Sequence, residues 1–111
     1  MTNKEIAIKI ADILDGKKGN NIVILDVSEN TTYADFFVIA SGNSDRQVQT
    51  LSEEVDEVLH KEGVRLINQE GKNSGWVLLD FGDIIVHIFL EEQRRHYNIE
   101  KLWSDSIKVE R

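Results

Sequence analysis

The stretch WVLLDFGDIIVHIFL, residues 76 to 90, constrains the fold more than any other part of the chain. Strand-forming residues flank a Phe-Gly-Asp step, and glycine supplies the positive φ that a tight turn needs, so the segment predicts a β-hairpin. With a two-residue loop at Phe81 and Gly82, Asp80 lies opposite Asp83, Leu78 opposite Ile85 and Trp76 opposite His87, all on one face with Phe89. The other face is then Val77, Leu79, Ile84, Val86, Ile88 and Leu90, an aliphatic set that belongs in a core. A three-residue loop with a bulge at Gly82 would instead pair Leu79 with Asp83 and move Trp76 and Leu78 to the side of Ile84 and Val86. The first register is favoured because it segregates polarity.

The mixed face poses the functional question, since two aspartates and a histidine could be a site or a surface. Asp83 and His87 lie four residues apart along a strand, roughly 13 Å at the usual rise, so they cannot share one metal. Opposed Asp80 and Asp83 would have Cβ atoms about 5 Å apart, yet two carboxylates without a third ligand make a poor metal site. No metal and no cofactor are expected. Each aspartate either accepts turn amides or answers a basic group on a partner, and His87 reads as a packed sheet histidine or as part of a binding surface. Trp76, Tyr97 and Trp103 either close the core or serve as interface anchors, a role in which Trp and Tyr are enriched.

The rest of the chain supplies the frame. Thr2 with Glu5 makes a capping box, and Ile6, Ile10, Ile13 and Leu14 recur at helical spacing up to Gly16. IVILDVS and ADFFVIASG follow as strands on either side of a turn at ENTTY. Ser44 with Gln47 forms a second capping box ahead of a helix whose apolar stripe is Val48, Leu51, Val55, Val58 and Leu59. Its other side carries Glu53, Glu54, Asp56 and Glu57, which reads as a solvated face. VRLINQE is a short strand, and Glu91 to Trp103 is an interrupted helix. The order predicts α/β (α+β) architecture: a single domain over residues 1–111, with a mixed five-stranded sheet flanked by helices.

Composition closes off several functions. Zero cysteines remove disulfides, thiolate catalysis and cysteine-ligated zinc, and a formal charge of −7 argues against a phosphate backbone as the main partner. No apolar run is long enough to cross a bilayer, and the amphipathic start MTNKEIAIKIADIL has no signal-peptide stretch, so a cytoplasmic protein is expected. The strand-to-helix junction ASGNSDRQ, around Ser41 to Ser44, could hold an anion, although no Walker lysine follows it.

Together, ADFFVIASGNSDRQV, WVLLDFGDIIVHIF and the tail RRHYNIEKLW resemble the ribosomal silencing factor family, also called RsfS or Iojap-like. The resemblance spans nearly the whole chain in order. It implies a factor that binds the large ribosomal subunit through ribosomal protein fourteen of that subunit, blocks subunit joining and represses translation. It also implies that the free protein self-associates as a homodimer. Carried onto this sequence, the partner-binding set is Trp76, Leu78, Asp80, Asp83, His87, Tyr97 and Trp103, with Arg94 and Arg95 close to rRNA. The family's fold is nucleotidyltransferase-like, but the strand after SGNS lacks the paired carboxylates that would hold magnesium. Two competing functions remain: a magnesium-dependent nucleotidyltransferase using Asp80 and Asp83, and direct RNA binding through Lys61, Arg65, Arg94 and Arg95.

Overall fold

The computed structural model describes residues 1–111 and contains one mixed six-stranded sheet, with strand order β3-β4-β5-β2-β1-β6. The chain runs α1 (Asn3–Gly16), β1 (Asn20–Asp26), β2 (Phe36–Gly42), α2 (Asp45–Lys61), β3 (Asn68–Glu70), β4 (Trp76–Asp80), β5 (Ile84–Leu90), α3 (Glu91–Tyr97), α4 (Ile99–Leu102) and β6 (Ile107–Val109). Five strands were expected. The sixth, β6, is three residues long, and its pairing with Ile24 to Asp26 of β1 could not be read from so short a segment. The strand expected over VRLINQE contracts to Asn68–Glu70.

The helices begin as their capping residues dictate. Thr2 and Glu5 exchange both bonds of a capping box, which holds the Glu5 carboxyl below its usual pKa. Ser44 accepts the Gln47 amide at 3.1 Å, but Gln47 Oε1 accepts from the Asn43 amide instead of completing the expected box with Ser44.

The two central strands run parallel, Phe36 pairing with Ile84 through Gly42 with Leu90, and every residue of β2 is buried. Burial on both faces explains the nearly unbroken apolar run FFVIASG. On one face α1 and α2 cover an 18-residue core that includes Ile10, Leu14, Val38, Leu51, Leu59, Leu79, Val86 and Ile88. On the opposite face a smaller cluster of seven, among them Phe37, Ile39, Phe89 and Ile99, is only partly roofed by α3 and α4. The second layer is thin, and part of the sheet beneath it meets solvent.

The hairpin keeps the expected faces but not the expected register. Asp80 pairs with Ile85, Leu78 with His87 and Trp76 with Phe89. The turn falls at Gly82 and Asp83, closed by Phe81 N–H donating to Ile84 O at 3.0 Å, with Gly82 at φ 94°. A glycine with positive φ at the first of the two turn positions is what so tight a reversal requires. Moving the turn by one residue shifts the pairing by two, and a shift of two restores every side chain to its own face.

Candidate functional site

The incompletely roofed face is built from the hairpin, β2 and the tail. Trp76, Leu78 and Asp80 project from β4, Ile85, His87 and Phe89 from β5, and Phe37 from β2. Tyr97 closes α3, and Trp103 follows α4. A row of rings crosses the strands. Trp103 meets Phe37 edge-on at 4.9 Å, Phe37 meets His87 edge-on at 4.9 Å, Trp76 stacks on Phe89 at 4.9 Å, and Tyr97 lies 4.7 Å from Trp76. Phe37 and Phe89 form the buried floor; Trp76, Leu78, Asp80, Ile85 and Trp103 are half-buried, and Tyr97 is 47% exposed. Beside Trp76 and Tyr97 lies a shallow groove of about 290 Å³, lined also by Leu78, Glu70, Gly71 and Ser74.

Five of the seven residues expected to bind a partner therefore share this surface: Trp76, Leu78, Asp80, Tyr97 and Trp103. The other two do not lie on it. His87 is only 4% exposed and sits beneath it. Its Nδ1 accepts the indole N–H of Trp76 at 3.1 Å, while Nε2 has no hydrogen-bond partner. Desolvation lowers the His87 pKa to about 4, because an imidazolium among rings would lose its hydration. Asp83, in the turn, is directed toward α1: its Oδ2 accepts from Asn3 Nδ2 at 3.1 Å, and the same amide donates to Asp35 at 2.9 Å.

The expected opposition of Asp80 and Asp83 does not occur. Asp80 Oδ1 accepts the Gly82 amide at 2.8 Å, bracing the turn, and faces Ile85 across the strands. The two carboxylates thus serve different neighbours, and no group of three or more His, Asp or Glu side chains is gathered where a metal could sit. The nucleotidyltransferase alternative loses the ligand pair on which it relied.

Arg94 was expected near rRNA but is only 8% exposed. Its Nε pairs with Glu100 at 2.9 Å, and its Nη1 donates to Ser41 Oγ at 3.0 Å and to the Asn20 carbonyl at 3.3 Å. It pins α3 to β1 and β2 instead of meeting solvent, whereas Arg95 is exposed. The Ser41–Ser44 junction is likewise accounted for by internal bonds: Ser41 by Arg94, and Ser44 by the start of α2. Sequence reasoning missed Phe37 as part of the face, because β2 is apolar and buried on both faces and has no alternation to single it out.

Residues 1–111 match the family described as RsfS, ribosomal silencing factor during starvation. Ribosomal silencing factor RsfS of Halalkalibacterium halodurans is 39% identical over 111 residues, covering 99% of this chain and 95% of that protein. RsfS of Bacillus subtilis is 38% identical, covering 96% and 91%. A crystal structure of a Chromobacterium violaceum protein superposes with a TM-score of 0.91 at 37% identity, covering 94% of this chain and 88% of that one. A family match over residues 1–111, with a superposition that covers 94% of the chain, places this chain in the ribosomal silencing factor family.

Proposed function

We propose that this protein acts as one 1–111 domain that binds the large ribosomal subunit through ribosomal protein fourteen of that subunit and, by occupying that surface, blocks subunit joining and represses translation. The observation that carries this reading is the half-roofed face of Trp76, Leu78, Asp80, Tyr97 and Trp103, which joins aromatic anchors to a carboxylate in a chain of net charge −7. Large rings supply buried area at low entropic cost, while Asp80 and Glu70 at the edge favour a basic partner. The mechanism is steric occupation without chemistry, in the cytoplasm. Arg95 offers a minor rRNA contact, and in the free protein the same apolar face is the surface for a homodimer.

The test is co-sedimentation with separated ribosomal subunits, followed by addition of the missing subunit. Association with the large subunit alone, together with loss of joining, is the expected result. Trp76→Ala should weaken binding by at least ~30-fold, the scale of a central aromatic anchor. Asp80→Asn keeps an acceptor for the Gly82 amide but removes the charge, so it should bind more weakly while unfolding at an unchanged temperature. Normal binding by both folded variants would mean that the face is wrongly assigned.

A further inference from the structure

We propose that His87 is a positioning residue that fixes the indole of Trp76 from beneath and so sets the contour of the exposed aromatic face. This rests on the reading of that face as the binding surface.

The first observation is a hydrogen bond of fixed direction. Trp76 can only donate, so the 3.1 Å bond makes His87 Nδ1 the acceptor and leaves the imidazole proton on Nε2. The second is that this Nε2–H is buried and unpaired. An unsatisfied buried donor is destabilising, and Phe or Leu would fill the space among Phe37, Phe89 and Trp76 without that cost. Stability alone therefore gives no reason for a histidine here.

What an apolar residue could not supply is the acceptor. Trp76 is half-buried on β4, next to the edge strand β3, and its ring stacks on Phe89 and lies tilted against Tyr97, contacts that permit sliding and tilting. The bond to Nδ1 adds one directional restraint and ties the indole to β5, at the centre of the sheet. Trp76 also walls the groove shared with Leu78, Tyr97 and Glu70, so the angle of its ring decides how open that groove is. Restraint before binding lessens the entropy lost when a partner settles on the ring.

The experiment compares wild type, His87→Asn and His87→Phe. Asparagine places its side-chain oxygen close to where Nδ1 stood, whereas phenylalanine keeps the ring without an acceptor. On the free, ¹⁵N-labelled proteins, nitrogen shifts of the imidazole and solvent exchange of the Trp76 indole N–H are recorded, the indole being assigned with Trp103→Phe. Binding to the large subunit is measured alongside.

We expect an Nε2–H tautomer in wild type, slow indole exchange in wild type and His87→Asn, and at least about tenfold faster exchange in His87→Phe. Binding should weaken about tenfold in His87→Phe, the equivalent of 1.4 kcal/mol, and recover in His87→Asn. An Nδ1–H tautomer or a freely exchanging Trp76 indole in wild type would overturn the proposal without recourse to any variant. So would a folded His87→Asn that loses as much as His87→Phe, since ring packing would then be the cause. If wild type does not associate with large subunits, the proposed function fails, and indole exchange in the free protein alone decides whether His87 positions Trp76.

Discussion

At the scale of single residues, His87 also couples the fold to pH. Its folded pKa of about 4 lies below the ordinary 6.5, so between these values the unfolded chain binds the extra proton and the native state does not. Stability from this group is present above pH 6.5 and is lost as pH falls toward 4, by at most roughly 3.5 kcal/mol at 1.4 kcal/mol per unit. Urea titrations across this window should show wild type losing stability more steeply than His87→Phe; parallel curves would mean that the imidazole is not buried as described. Glu5, held low by the Thr2 amide and then the Thr2 hydroxyl, and Asp26, held low by the Ser28 hydroxyl and then its amide, act at more acid pH and are common to both proteins. At this scale the sequence was partly legible. The turn bond of Asp80 and the company of Trp76 and His87 followed from residue type and spacing, the latter as a diagonal contact instead of a direct pair. The burial of Arg94 was not legible, because only the fold brings Ser41, Asn20 and Glu100 around it.

At the scale of elements, two glycines serve the hairpins unequally. Gly71 has φ +83°, and an added Cβ would lie 1.9 Å from the Trp76 carbonyl oxygen, a backbone atom that cannot step aside. Gly82 has φ +94°, but its added Cβ would meet only the movable tip of Ile67 at 3.3 Å. Gly71→Ala should therefore cost about 3 kcal/mol or more and disturb Trp76, while Gly82→Ala should cost about 1–2 kcal/mol, the ordinary strain of that backbone region. Denaturant unfolding ranks the pair, and equal costs would refute the difference in surroundings. Helices α1 and α2 were readable because capping residues and a 3.6-residue stripe reinforce each other. The parity of the hairpin was readable because polarity alternates, but its register was not: pairings that differ by two residues put the same side chains on the same faces. Strand β6 had neither length nor pattern, and it owes its existence to the free edge of β1.

At the scale of the molecule, the proposed pairing of an acidic chain with a basic ribosomal protein should form faster than shape alone allows. Added salt should slow association with the large subunit more than it speeds dissociation, as stopped-flow kinetics would read; insensitivity to salt would leave the rings as the main determinant. The whole face was legible only in outline, because its depth depends on α3 and α4 lying over one end of it. The parallel pairing of β2 with β5 has a further consequence for how such a protein is made. As the chain leaves a ribosome, β1 and β2 can pair at once, but the other edge of β2 stays bare until α2, β3 and β4 have followed and Ile84 to Leu90 emerge. An apolar strand with an open edge invites wrong pairing, and contacts between distant parts of a sequence form slowly. Folding is thus completed late in synthesis, when the middle of the sheet is filled by one of its last strands.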